Sequence, residues 1–530
     1  MQRDRIITAA AVEGLIADGR TIVIFEEYVL QLDSWLDKHP GGALAIMHMV
    51  GKDATDEINA YHKAGTLKTM KAFRIGRKPA GIWTNRTPPI RGGVFQKQDA
   101  LPSPPRTATP PLDEFPDEKN KKTAAEEDAF AAKLKTAAFI ASAETADIDR
   151  DLRDYPSVEP EVQQDVVNKY RALHQRVHDE GFYNCPYSSY AIEMCRYTTL
   201  FTCSMVALYH EWYMTSAFFL GFFWQQIMFT AHDAGHCAIT GNFTVDGVIA
   251  IFIADFCCGL SMGWWKRSHN VHHLITNHPE HDPDIQNLPL FATTPSFFRG
   301  IYSTYYNFSF AWDKAAELLV PYQHLTYYPI MGVARFNLYL LSWLHVFSSK
   351  SSSLGNSKAW WIRPLEITFM SCFWYIFGYL LVWKTLPTWT IRIAFVLFSH
   401  IVTMPLHVQI TLSHWGMSTS ELGESESFAQ RQLRTTMDVD CPRWLDFFHG
   451  GLQFQAVHHL FPRVPRHNLR KLQVLVKEFC ESTGIPYTLL CFKDGNDKVL
   501  GRLEEVGQQV AHLVACQKHM ARTGDSGLLH

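Results

Sequence analysis

The residues of this sequence best suited to chemistry are histidines, and they come in three short clusters. These are His232-Asp233-Ala234-Gly235-His236, His269-Asn270-Val271-His272-His273 and Gln455-Ala456-Val457-His458-His459. Helical i, i+3 or i+4 spacing lets each cluster turn two or three side chains to one helix face. Seven imidazoles exceed what one tetrahedral zinc takes, four ligands or three plus water, so two metal ions fit the count better. Imidazole suits iron, zinc, copper and nickel alike, and spacing does not choose among them. A lone HxxxH says little, because most isolated histidines are surface or hydrogen-bonded core residues. Here three clusters recur in one chain. The first also closes a long apolar run, where an ionisable side chain is costly without a role.

A second constellation lies near the N-terminus. Residues from about 20 to 78 mix short apolar segments with polar turns, among them His39-Pro40-Gly41-Gly42 and, past a helix-loop-helix pattern, Ala60-Tyr61-His62. Pro and Gly form a tight turn that fixes one imidazole. Two imidazoles facing each other across a pocket can hold a haem iron from both sides, and such an iron passes electrons without readily binding oxygen. The segment resembles the cytochrome b5 family, whose haem-binding turn His39-Pro40-Gly41-Gly42 matches. That resemblance implies haem b, a small α+β fold over residues 1–80, and His39 and His62 as axial ligands. His48 is expected to be a bystander.

The elements that must position these residues follow from composition. A chain of 530 residues has room for two or more domains. The net charge of -3 gives no argument for nucleic acid as a partner. Eleven cysteines lie scattered without CxxC pairs, as expected of free thiols in a reducing compartment. Met1 to Arg20 lacks a signal-peptide layout, which predicts a cytosolic N-terminus. Residues 81–160 carry Pro88-Pro89, Pro104-Pro105 and Pro110-Pro111 and read as an extended tether, with a charged, Ala-rich stretch from Asn120 to Ala146 that is transiently helical. Such a tether keeps the haem module at high effective concentration beside the next domain. From Val162 to Val177 the apolar spacing predicts a helix lying on the membrane or against that domain.

Residues 161–492 read as an all-α polytopic membrane domain with a histidine-rich cap. Four apolar stretches, about 191–208, 213–230, 365–382 and 389–412, have roughly the length of a bilayer core. Trp212, Tyr213, Trp383 and Trp389 gather at their ends. With the N-terminus cytosolic, these spans put all three clusters on the cytosolic side. Lys266, Arg267, Arg431, Arg434, Arg463 and Arg466 fall on that side too. Val248 to Leu260, short and holding Asp255, is expected to be interfacial or re-entrant, and Leu338 to Phe347 likewise. Residues 493–530 read as a polar tail with some helical character.

Histidine clusters beside membrane spans, fed by a one-electron haem carrier, define a narrow chemistry. Iron is the common metal that activates oxygen with electrons arriving singly. Zinc has no redox chemistry and leaves the haem module unexplained. From about Tyr170 to Tyr487 the sequence resembles the membrane fatty-acid and sphingolipid desaturases fused to cytochrome b5, the front-end desaturases. Gln455, in place of the first His of the usual third box, is the most specific mark. The run Gln453 to Arg463, with Pro465-Arg466-His467-Asn468 and Glu280 to Gln286, is similar to fungal-type delta-8 sphingolipid desaturases. The resemblance implies a di-iron centre, molecular oxygen as co-substrate, a ceramide-type long-chain lipid as substrate and NADH-cytochrome b5 reductase as electron donor. It also implies an endoplasmic-reticulum membrane, with both termini and the histidine boxes cytosolic.

By residue, the resemblance assigns His232, His236, His269, His272, His273, His458 and His459 as iron ligands. Gln455 ligates, hydrogen-bonds a bound water or orients a neighbour. His414, seven residues beyond His407 on the same helix face, is an extra ligand, while His407 lines the pocket. Asp233, Asn270, Asp282 and Asp284 are placed to accept the free imidazole N–H, with solvation or helix capping as the alternative. His278, His281, His324, His345, His449 and His467 are expected to be structural. Two other functions stay open. One is a front-end acyl desaturase of delta-6 or delta-5 type or a lipid hydroxylase, which shares the metal cage and the first hydrogen abstraction. The other is a non-enzymatic haem electron carrier, which has no use for seven further histidines.

Overall fold

The structure is a computed structural model and describes residues 3–97, 124–348 and 360–523. The N-terminal module is built on an antiparallel sheet of Ile22–Phe25, Tyr28–Gln31 and Arg74–Arg77 in that order. The run Ile22-Val23-Ile24-Phe25 is buried at every position because both faces are covered. Its two-residue period sends Val23 and Phe25 to one core with Ile46 and Ile58, and Ile22 and Ile24 to another with Val12 and Ile16. The first of these cores also takes in Ile275, just past the second histidine cluster. The haem module therefore shares a core with the membrane domain.

Helices dominate the rest. Tyr187–Tyr209 and Tyr213–Gly235, 23 residues each, form an antiparallel pair through a tight turn in which Glu211 adopts φ 61. Among the described residues three helical stretches are long and apolar enough to cross a membrane: Lys314–Phe347, Ile362–Thr385 and Trp389–Leu412. A fourth arises if Phe243–Cys257 and Met262–Leu274, bent by 116° at their junction, form one broken span. Val248 to Leu260 lies at that bend, so the chain folds back there.

The stretches 191–208 and 213–230 form the long helices Tyr187–Tyr209 and Tyr213–Gly235, while the candidate spans by length and composition are the stretches given above. Tyr213–Gly235 carries Gln225 and Gln226, whose amides donate to the carbonyls of Phe448 and Phe447 at 2.9 and 3.0 Å. Leu338 to Phe347, expected to be interfacial or re-entrant, is instead the end of the apolar stretch Lys314–Phe347.

Two polar segments are corrected as well. The second half of the expected tether is the 31-residue helix Ala124–Asp154, while residues 98–123 lie outside the described part. Ile140 inserts beside Phe297 and Phe298. Glu144 accepts from Ser296 Oγ at 2.6 Å, and Asp147 pairs with Arg502 at 2.9 Å. The many alanines of Ala124–Asp154 favour the helix, and these tertiary contacts fix where it lies. The expected polar tail is the helix Phe492–Thr523, whose Val499, Leu503, Val506 and Val510 are buried in the same core. Pro160–Asp179 packs against the next domain, with Tyr170 Oη donating to the Leu460 carbonyl at 2.8 Å.

Candidate metal centre

Each histidine cluster sits on its own helix. His232 lies in the last turn of Tyr213–Gly235 and His236 caps it. Met262–Leu274 carries His269, His272 and His273, and Gln455–Leu460 carries His458 and His459. The bend before Met262 turns the second cluster back onto the first, so the rings of His232 and His269 stand 5.2 Å apart. The first two clusters thus occupy one place, and no bilayer separates them.

The start of Met262–Leu274 is held by side chains. Ser261 Oγ accepts from Trp264 N at 2.9 Å, Asp255 from Met262 N at 3.1 Å and Glu366 from Gly263 N at 2.6 Å. These acceptors satisfy N–H groups that have no partner within the helix. Asp438 does the same for the third cluster, accepting from Ala456 N at 2.8 Å.

Together the helices form two groups of ring nitrogens. His232, His236, His269 and His458 make one and His272, His414 and His459 the other, with the ligand atoms of each group within 4.8 Å of one another. His273 lies between them, stacked on His459 at 4.0 Å and 4.8 Å from His458. His414, the extra ligand expected from spacing, is brought into the second group, 4.6 Å from His272. His407 is buried outside both groups, with Nε2 3.4 Å from Thr403 Oγ1. Gln455 is buried at the start of the third cluster's helix.

The donor chemistry fits bound metal. Nε2 of His236, His458 and His459 and Nδ1 of His273 are buried without hydrogen-bond partners, which is costly unless something else takes the lone pair. In the second group each Nδ1 has a partner: His272 Nδ1 to Asp282 Oδ2 at 2.8 Å, His459 Nδ1 to Gln432 Oε1 at 2.9 Å, and His414 Nδ1 to the Thr435 carbonyl at 3.4 Å. Such partners set the tautomer that leaves Nε2 free. Burial, with neighbouring imidazoles second, holds His458 and His459 well below the ordinary histidine range, so both rings are neutral donors.

The expected supporting residues divide. Asp282 takes the His272 proton, and Asp284 Oδ2 lies 3.8 Å from the same nitrogen. Asp233 stands 3.9 Å from His232 Nδ1, and its main partners are Arg466 and Tyr190. Asn270 is corrected: its amide turns away from the imidazoles and meets the carbonyl of Gly41 at 3.5 Å. Three residues had no signature in the sequence. Gln432 is one; Glu193, which binds Arg466 and His467, is the second; Asp438 is the third. Arg466 belongs to the run Pro465-Arg466-His467-Asn468, whose spacing alone assigns it no role. Here it ties the helix after the third cluster to Asp233 in the first. Burial opposes its charge, but Asp233 and Glu193 outweigh that and hold the guanidinium above its usual value.

At the haem site His39 and His62 face each other with ring centroids 6.0 Å apart. Nδ1 of His39 donates to the Gly42 carbonyl and Nδ1 of His62 to the Ile58 carbonyl, each at 2.9 Å, leaving both Nε2 atoms free. Gly42 adopts φ 86, and a Cβ on Gly41 would lie 2.8 Å from the His39 ring, so the turn needs both glycines. Burial, then His39, lowers His62 to about 4. The residues fit a bis-imidazole haem. His48 is buried 5.3 Å from the ring of His281 and makes no ring contact with either haem ligand.

Residues 211–490 match the fatty acid desaturase family, and residues 8–78 match the cytochrome b5-like heme/steroid binding domain. The chain belongs to the fatty acid desaturase family. It is similar to a Delta 8-(E)-sphingolipid desaturase of Emericella nidulans, at 48% identity over 98% of both chains. Another Delta 8-(E)-sphingolipid desaturase, from Candida albicans, is 42% identical over 97% of this chain and 98% of its own. A Delta(8)-fatty-acid desaturase of Helianthus annuus is 31% identical over 92% and 88%. This desaturase is accordingly an oxidoreductase and a multi-pass membrane protein that acts on lipid. Its haem-binding module serves electron transfer, and its histidine groups serve iron.

Proposed function

We propose that this protein is an oxygen-dependent desaturase that places a delta-8 double bond in the sphingoid long-chain base of a ceramide. The carrying observation is the two imidazole groups set beside a docked module whose own imidazoles face each other. Residues 1–80 form the haem module, 81–160 the connection, 161–492 the membrane domain and 493–530 the C-terminal segment. His39 and His62 would hold haem b. One non-haem iron would be held by His232, His236, His269 and His458, and a second by His272, His414 and His459. His273 completes the set between the groups, and Gln455 offers an amide oxygen.

When bound, the irons supply activation of molecular oxygen, which leaves as two waters. Two electrons come from the two C–H bonds broken, and two arrive singly through the haem module together with two protons. The chain's own residues prepare this. Asp282, Gln432 and the Thr435 carbonyl keep ring protons on Nδ1, and burial keeps His458 and His459 neutral. NADH-cytochrome b5 reductase reduces the module. The protein lies in the endoplasmic-reticulum membrane, in contact with its lipids, with both termini and the histidine groups cytosolic. The names of the two fungal relatives, Delta 8-(E)-sphingolipid desaturases, support E geometry.

Lipid profiling after expression in a host that lacks 8-unsaturated long-chain bases tests the reading. The expected result is a new 8-unsaturated base within ceramides. New unsaturation in acyl chains alone makes the protein a front-end acyl desaturase, and an added hydroxyl makes it a hydroxylase.

A further inference from the structure

The haem module is docked on the metal cage by contacts that surround one side chain. Arg171 Nε donates to Asp56 Oδ1 at 2.6 Å, Arg463 Nη1 donates to the His62 carbonyl, and Asn270 reaches Gly41. Ala60 is fully buried in a core shared with Leu460 and Phe461. Between these lies Tyr61, the last residue of the helix Thr55–Tyr61 and the covalent neighbour of His62. Its ring meets that of His273 edge-on, with centroids 6.1 Å apart and planes at 88°. Among the described residues it is the one aromatic ring of the module in contact with a cage imidazole. Its hydroxyl is buried and has no hydrogen-bond partner.

We propose that Tyr61 couples the haem to the cage, carrying each electron from the His62 side to the His273 side through its ring. The inference rests on the assignment of His62 and His273 as ligands. In each transfer one electron leaves ferrous haem, which becomes ferric, and reduces one ferric ion in the cage to ferrous. No bond forms or breaks, and no proton moves. Tyr61 is a medium and is not itself oxidised, because its hydroxyl has no base within reach to take the proton that oxidation would release. A buried phenol radical cation is too costly to form. The ring is needed and the hydroxyl is not.

The test uses the full-length, iron-loaded, haem-loaded protein and follows reoxidation of the reduced haem by absorbance in the presence of oxygen and lipid substrate. Tyr61→Leu should slow reoxidation by about tenfold or more. Its haem spectrum, midpoint potential, iron content and hydrogen-exchange protection over Thr55–Tyr61 should match the wild type. Tyr61→Phe should reoxidise at the wild-type rate. If Tyr61→Leu loosens the docking, seen as lost protection, Tyr61→Met fills similar space without a ring and decides the matter. Wild-type reoxidation in a docked Leu or Met variant overturns the proposal, as does a Phe variant as slow as Leu. An unchanged haem spectrum in His62→Ala would strike at the ligand assignment instead, leaving a different signature from failed coupling.

Discussion

Gln432 Oε1 accepts from His459 Nδ1 at 2.9 Å, and its Nε2 donates to the His273 carbonyl at 2.8 Å. One side chain thus orients a ring of the third cluster and pins the backbone of the second. Replacing such a partner of a metal-bound imidazole typically costs about 10–100-fold in metal affinity or activity. Gln432→Leu is expected to lose that much desaturation, while Gln432→Glu, which keeps the acceptor, loses less. Product formation and iron per protein measure both, and an unaffected Leu variant would remove Gln432 from this role.

The separation of the ring nitrogens into two groups makes their emptying separable. His414→Ala should lose about one of two non-haem irons, as should His232→Ala, and the double variant should lose both. Elemental analysis reads the iron, and the haem spectrum should stay unchanged in all three. Zinc in place of iron would defeat the oxygenase reading.

Arg466 is buried with Asp233 and Glu193 as its counter-ions. Removing one member of such a set leaves buried charge uncompensated, at a cost of about 3–5 kcal/mol. Arg466→Met should therefore melt far below the wild type in detergent. Combining it with Asp233→Asn and Glu193→Gln should recover part of the loss, and a triple variant no better than the single would contradict the account.

Ile140 lies in the core shared with Phe297, Val506 and Val510. Ile140→Ala should cost on the order of 2–5 kcal/mol, as for a buried aliphatic side chain. In a free tether the same change would fall within about 0.5 kcal/mol of neutral. Thermal melts separate these outcomes.

Burial pushes the Asp438 carboxyl up to about 6, against hydrogen bonds from Tyr487, Gln473 and the Ala456 N–H. In an unfolded chain the group titrates near about 3.9. The folded state therefore binds this proton more tightly. The stability it contributes is full below the unfolded value and is lost as pH rises through the folded one. Asp438→Asn cannot ionise, so between about pH 4 and 7 its melting temperature should gain on the wild type. A gap constant over that range would show that Asp438 does not titrate there.

The sequence by itself determined the candidate donors. Local spacing fixes which ring nitrogens share a helix face, and the Pro-Gly turn fixes His39, so the candidates in both constellations, His414 among them, could be named before any fold was known. Only the tertiary structure decided how the donors are shared out. Grouping His458 with His232 and His459 with His272 depends on where three helices cross, and no local period records that. The same holds for Gln432, Glu193 and Asp438, polar residues whose role exists only through a partner distant in the chain. Ala124–Asp154 and Phe492–Thr523 read as polar because their charged residues mask a few large apolar side chains, yet Ile140 of the first and Val506 and Val510 of the second meet in a common core. Composition averages such contacts away; packing is decided by the geometry of the few residues that touch.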